Sequence, residues 1–312
     1  MRVAATGQKS KFGPNALVPI YVWDIETREV LAVLKGFIQG AAYILKFSPD
    51  GSKLLCIGKD ADHSIAIYDW ANQKLIASSK VDKSFVTDAA FKNDTEFVTV
   101  GTRHIKFWSM KGGILNFKRG IWKNQDNPEP LMSCVFCFAQ KVCFTGGASG
   151  KIYTWSSNSA VGSIDAHSNS IRVLLEHKNS LYSGGDDGIV KMWSYTSKLQ
   201  KQADDLFAVG SENGQPQGIR SLDLKSDGTL LVATRSSTIY EVEVGEHTNS
   251  VAILEGHYNG ELWGLAVNPK APKFVTVGDD KTIRIWDTVN KEQHKKRELS
   301  YGGRAVDWST ES

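Results

Sequence analysis

The sequence predicts an all-β fold assembled from seven repeats, each of four strands, and three observations predict it. One five-residue pattern returns seven times: IYVWD at 20–24, IAIYD at 65–69, IKFWS at 105–109, IYTWS at 152–156, VKMWS at 190–194, IYEVE at 239–243 and IRIWD at 283–287. Its fourth residue falls at Trp23, Tyr68, Trp108, Trp155, Trp193, Val242 and Trp286, so successive repeats are 38 to 49 residues apart. Runs rich in Val, Ile, Thr and aromatic residues alternate with turns built on Gly, Asp, Asn and Pro, and no long helical periodicity separates them.

The last complete unit shows the strand count. LWGLAV, KFVTVG and TIRIWD are successive strands joined by the turns VNPKAP and GDDK, and a further run follows the pattern. Four strands at this period define a blade of a WD40-type β-propeller. The first unit starts late: residues 3–7 read as a second strand, 19–24 as a third and 29–36 as a fourth. RAVDWS, at 304–309, has the rhythm of a first strand with nothing after it. The expectation is a single seven-bladed domain over 1–312, closed by pairing of the C-terminal strand with the N-terminal blade. One blade is then shared by 1–36 and 304–310, and six lie within 37–303. Closure pairs backbone groups on two otherwise raw edges.

Composition narrows the function classes. The 312 residues carry 37 basic and 34 acidic side chains, a net charge of +3, which argues against a dedicated nucleic-acid binder with a broad basic face. The longest apolar stretch, LMSCVFCFA at 131–139, is far too short to span a bilayer, and no secretory leader pattern is present at the N-terminus, so the chain reads as cytosolic with no membrane partner. Cys56, Cys134, Cys137 and Cys143 suit a reducing compartment. Cys134 and Cys137 form a CxxC, but in a strand residues three apart point to opposite faces, so buried structural thiols are expected instead of a metal or redox pair.

One constellation imitates catalysis. His257, Thr276, Asp280 and Trp286 recur in register as His167, Ser183, Asp187 and Trp193. A His, a hydroxyl and an Asp suggest a hydrolase triad. Repetition argues the other way, because a catalytic site is needed once whereas a structural hydrogen-bond network can recur in any blade. Other blades depart from the set: Ser149 stands at the Asp position before Trp155, and Val242 at a Trp position. The Gly-rich pieces at 145–150 and 183–188 open no helix and lack a GK[ST] ending, so they read as hairpin turns. No cofactor, metal or catalytic residue is expected.

Several stretches are more particular than a WD dipeptide: GHYNGELWGLAVNP at 256–269, FKRGIWKNQDNPEPLMSCVF at 117–136, KDADHSIAIYDW at 59–70, and ATGQ followed by PIYVWD. Together they resemble the echinoderm microtubule-associated protein-like family, in order over nearly the whole chain. In that family two joined propellers form a tandem module, and this chain resembles the N-terminal one. The resemblance implies a non-enzymatic scaffold in the cytoplasm and cytoskeleton. It implies tubulin or microtubule-associated proteins as partners, with a second propeller if the native chain continues, and leaves a cilium or flagellum open. The alternative is a general WD40 adaptor that recognises a linear peptide motif in another assembly. An enzyme on a propeller scaffold is the third reading.

The docking surface is expected where the innermost strands begin. Aligning the units places Tyr43, Thr87, Met132, Arg172, Arg220, Trp263 and Arg304 in one column. Arg and aromatic residues are enriched at interface centres, and Arg pairs carboxylates in bidentate fashion, so acidic peptide segments or a tubulin surface would suit it. The competing reading packs several of these side chains between blades. Arg119 and Trp122, in the long connection after the third unit, form a second candidate anchor, or else fold back on the blade.

Overall fold

The computed structural model describes residues 3–122, 128–138, 141–195, 199–201, 206–209, 217–225, 227–244, 249–257 and 260–309. Among them are strands in seven antiparallel sheets and no helix. The first sheet holds β1 (Val3–Gly7), β2 (Ile20–Asp24) and β3 (Val30–Leu34). The second runs β4 (Ala42–Phe47), β5 (Lys53–Gly58), β6 (Ser64–Asp69), β7 (Lys74–Lys80), and the third β8 (Val86–Phe91), β9 (Glu96–Gly101), β10 (Ile105–Lys111), β11 (Ile114–Arg119). The fourth is β12 (Leu131–Cys137), β13 (Val142–Gly147), β14 (Lys151–Ser156), β15 (Ser159–Asp165). The fifth is β16 (Ile171–His177), β17 (Ser180–Gly185), β18 (Ile189–Tyr195), β19 (Leu199–Lys201), with β20 (Phe207–Ala208) also on β18. The sixth and seventh are β21 (Ile219–Leu224), β22 (Leu230–Thr234), β23 (Thr238–Glu243), β24 (Asn249–Glu255) and β25 (Leu262–Val267), β26 (Lys273–Gly278), β27 (Thr282–Asp287), β28 (Glu292–Glu298). In every sheet the spatial order is the sequence order, as the repeat predicts.

The chain divides into two compact units. The first comprises Met1–Ser183 and Trp193–Gln202, and the second Gly184–Met192 and Ala203–Ser312. In the first unit the sheets stack face to face, because their middle strands are apolar on both sides. Leu54 and Cys56 of β5 enter the core shared with Val18, Ile20 and Leu34, while Leu55 and Ile57 enter the next core with Val86, Phe97 and Trp108. The CxxC obeys the same geometry: Cys134 lies in the core with Val98 and Trp155, and Cys137 in the core with Ile171 and Trp193. All four cysteines are buried and outside any disulfide, and burial pushes the thiols of Cys56, Cys134 and Cys143 well above the usual range. Each large apolar side chain so buried contributes about 1.5–3 kcal/mol.

Charge also links the sheets. Asp88 on β8 accepts the Cys134 amide of the fourth sheet at 3.0 Å and pairs with Lys46 of the second at 3.3 Å. The Asp88 carboxylate raises the Lys46 ammonium above its ordinary range, against the opposing effect of burial.

The first sheet has three strands, and here the structure departs from expectation. Residues 304–309 form no strand, and β1 pairs with β2 alone. The C-terminal segment instead engages its own last sheet: Gly303 N donates to Gly278 O at 2.9 Å, and Arg304 reaches Asp279 at 3.4 Å. Hydrogen-bonded closure by Arg304 and its neighbours is therefore not formed among the described residues. Contacts on β25 and β26 hold the segment that would have supplied it.

A polar pair recurs through the sheets, buried at Trp108, Trp155 and Trp193, part-buried at Trp286 and exposed at Trp23. The indole N–H at the pattern's fourth position donates to a hydroxyl on the neighbouring strand: Trp23 to Thr6 (2.8 Å), Trp108 to Thr99 (2.9 Å), Trp155 to Thr145 (2.9 Å), Trp193 to Ser183 (2.9 Å) and Trp286 to Thr276 (2.7 Å). Where the indole is lost, so is the hydroxyl. Tyr68 stands across from Leu54, two residues before Cys56, and Val242 across from Leu230, two before Val232. At Val242 neither a donor nor an acceptor is left to satisfy, whereas the Tyr68 hydroxyl is buried without a partner.

In urea unfolding, Thr145→Val is expected to cost about 1–3 kcal/mol, because it leaves the Trp155 N–H buried and unpaired. Combining it with Trp155→Phe should cost less than the two single changes added, a coupling read from the double-mutant cycle.

Candidate functional site

The predicted column has a backbone signature. The β4–β5 register shifts between Ala42 and Ile44, β8–β9 between Val86 and Asp88, β12–β13 between Leu131 and Ser133, β21–β22 between Ile219 and Ser221, and β25–β26 between Leu262 and Gly264. Tyr43, Thr87, Met132, Arg220 and Trp263 are the residues passed over. Each sits in a β-bulge, which turns the extra residue out of the ladder and re-aims its side chain. Arg172 holds the same second position on β16, whereas Arg304 lies outside any strand.

In the first unit these bulges latch one sheet to the next. The Tyr43 hydroxyl donates to Val86 O at 2.8 Å, and the Thr87 hydroxyl to Leu131 O at 2.6 Å. Met132 cannot donate, and the adjacent Ser133 hydroxyl reaches Ile171 O at 2.9 Å instead. Every acceptor is the carbonyl of the first residue of the next innermost strand. Tyr43 also stacks on Phe85 at 5.6 Å, and burial, with the nearby Asp60 charge, drives its hydroxyl far above the ordinary phenol range. Tyr43 and Thr87 thus serve packing between blades, the competing reading of the column.

In the second unit the column arginines meet carboxylates of the chain itself. Arg220 lies 3.4 Å from Asp186, and Arg304 lies 3.4 Å from Asp279. The Arg304 guanidinium also sits over the Trp263 ring, 4.4 Å from its centroid, while the Trp263 indole donates to Asp279 at 3.0 Å. The indole bond and the Glu261 amide hold the Asp279 carboxyl below its usual range. Trp263 remains 47% exposed beside the Arg304 cation.

The triad-like sets have no idle imidazole. His257 Nε2 is 2.9 Å from the Thr276 hydroxyl, and its Nδ1 is 2.9 Å from Asp280. Thr276 already accepts the Trp286 indole, and Asp280 also takes the buried Arg284 at 3.1 Å and the Thr282 hydroxyl. Although burial opposes it, bonding from His257 and Thr282 keeps the Asp280 carboxyl below its usual range. In the fifth sheet His167 Nε2 lies 2.7 Å from Ser183, which accepts the Trp193 indole, and Asp187 accepts the Ile189 amide at 3.2 Å. In the fourth, Glu129 takes over, accepting the Ser149 amide at 2.7 Å and the Ser149 hydroxyl at 2.6 Å. No group of three or more metal-ligating side chains occurs among the described residues.

Arg119 and Trp122 occupy a crossing between sheets. Arg119 O accepts the Asn158 amide at 2.9 Å, Ile121 bridges to Ser159, and the Trp122 ring meets Tyr153 and Trp155 edge-on at 5.0 and 4.9 Å. The connection therefore joins the two sheets, Gly120 N donating to Ile105 O of the third at 2.9 Å while Trp122 packs on the fourth; residues 123–127 of it lie outside the described residues. Arg119 is exposed.

Residues 1–242 match the family described as the echinoderm microtubule-associated protein first beta-propeller, and 248–287 match a WD domain, G-beta repeat. A crystal structure of the Myceliophteria thermophila Cps50 (Swd1) beta-propeller domain superposes with a TM-score of 0.64 at 14% identity, over 86% of this chain and 91% of that one. The computationally designed Ika8 protein does so at 0.55 and 19%, over 94% and 87%. Seven antiparallel sheets with these repeats define a WD40-type β-propeller protein.

Relatives narrow the class. Echinoderm microtubule-associated protein-like 2 of Homo sapiens is 30% identical over 92% of this chain and 45% of its own length. The 77 kDa echinoderm microtubule-associated protein of Strongylocentrotus purpuratus is 30% identical over 93% and 42%. The chain belongs to the echinoderm microtubule-associated protein family, and it spans about half the length of these relatives.

One substituted turn makes a pH-dependent element. His104 Nδ1 lies 3.4 Å from the Ser84 hydroxyl, and its Nε2 is buried with no partner. Desolvation, resisted by Asp82 and reinforced by Lys106 and His63, lowers its pKa from 6.5 to about 4. The unfolded chain binds this proton first, so stability is intact above about pH 6.5 and falls as pH drops toward 4, by up to about 1.4 kcal/mol per unit. Unfolding titrations should show that slope in the native sequence, and His104→Gln should flatten it.

Proposed function

We propose that this chain is a non-enzymatic protein-interaction scaffold of a microtubule-associated protein, acting at the cytoskeleton and contacting tubulin or microtubule-linked partners. The match of residues 1–242 to the family's first propeller carries this reading. The consumption of both His257 nitrogens by structural bonds supports a scaffold over a hydrolase. Within the column, Met132, Arg172, Arg220, Trp263 and Arg304 are the docking residues, with Trp263 as apolar anchor and the arginines trading internal carboxylates for a partner's acidic groups. Tyr43 and Thr87 position the strands that present them. A second propeller is a further partner if the native chain continues, as the length of the relatives, about twice the matched region, would allow.

Co-sedimentation with polymerised tubulin and pull-down with free tubulin test the proposal. Binding in either arm is expected, with the triple change Arg172→Ala, Arg220→Ala, Trp263→Ala weakening it at least about tenfold, as interface anchors do. Full-strength binding by a triple variant with unchanged thermal unfolding would remove the column from the interface. Absence of binding in both arms would remove tubulin.

A further inference from the structure

A groove of about 530 Å³ lies between the third and fourth sheets of the first unit, at the far end of β8 and β12 from Thr87 and Met132. That volume is in the range of sites that hold small ligands and peptide side chains. Its floor is aromatic, made by Phe107, Trp108, Phe117 and Phe136, and Phe117 is 43% exposed to it. Its walls are held together by the Asn158 bond to Arg119 O and the Ile121–Ser159 bridge, so the groove is formed before any partner arrives.

The rim carries a net positive charge. Lys92 is neutralised by Glu96 at 2.9 Å. Lys118, on β11, and Lys141, in the turn before β13, are exposed and form no ion pair among the described residues. Asn116 offers an exposed amide between them and the floor. The groove thus carries two uncompensated positive charges over an apolar base. In this it differs from the column, where Arg220 and Arg304 already hold Asp186 and Asp279.

We propose that this groove binds an extended acidic peptide segment of a partner protein, one apolar side chain seated on the aromatic floor and flanking carboxylates paired with Lys118 and Lys141. The apolar residue supplies contact area, and the carboxylates fix direction and register. The site stands apart from the column and does not rest on tubulin as the partner.

The test is fluorescence anisotropy of the 312-residue chain with a labelled Glu-Glu-Leu-Glu-Glu peptide. Saturable binding tighter than about 1 mM is expected. A Gln-Gln-Leu-Gln-Gln peptide, a Glu-Glu-Gly-Glu-Glu peptide and the variant Lys118→Glu/Lys141→Glu should each weaken it at least about fivefold. The variant Lys35→Glu/Lys74→Glu, which makes the same charge change at exposed residues outside the groove, should leave it unaltered. Lack of saturable binding by the native chain overturns the proposal. So does undiminished binding by the Lys118/Lys141 variant with native thermal unfolding, or an equal loss in the Lys35/Lys74 variant.

Discussion

The constraint on which the first unit depends is that its sheets are apolar on both faces. A lone four-stranded sheet with Leu54 and Cys56 on one side and Leu55 and Ile57 on the other has no stable existence in water, and stacking is the solution that buries both. Most polar groups that enter such a stack bring a partner with them, the Tyr68 hydroxyl and His104 Nε2 being left without one. The indole–hydroxyl pairs, the Asp88 link through three sheets and the Arg284–Asp280–His257 cluster are all answers to that demand. The same demand explains why Val242 and Val232 are apolar together: with no donor to satisfy, an acceptor would be a liability.

The positions where the ladder is interrupted stand apart from the paired groups inside the sheets, such as His257 with Asp280 and Thr276. A bulge at the second residue of an innermost strand frees that side chain from the pleat, and the chain uses the device repeatedly with different side chains. Some of these side chains hold the neighbouring sheet, while others face solvent. The groove between the third and fourth sheets has a different origin, in a crossing strap that ties two outer edges while leaving their aromatic surfaces apart.

Much of this was legible in the sequence because it repeats. Seven copies of one strand pattern gave the sheets and their order, though not a first sheet left at three strands, and alternation alone placed Cys134 and Cys137 in different cores. Less legible were features that depend on backbone register. The bulges leave no residue signature, since Tyr, Thr, Met, Arg and Trp all occupy them. The internal carboxylates facing Arg220 and Arg304 come from turns far away in sequence. The course of 304–309 was misjudged for a related reason: its strand-like rhythm is real, but Gly303 and Arg304 find partners on β26 and in its turn. Trp122, expected as a candidate anchor or as folding back on its own blade, packs against Tyr153 and Trp155 of the following repeat, neighbours that strand spacing does not reveal.

The inter-sheet latches point one way along the chain. In each, a hydroxyl on the earlier sheet gives its proton to a main-chain oxygen on the later one. A hydroxyl that loses its acceptor can swing to water, but an oxygen beside a ladder defect has no second conformation to adopt. Loosening of an early sheet therefore injures its successor more than the reverse. The stack carries an intrinsic sense of fraying, set by which side of each junction owns the rotatable group.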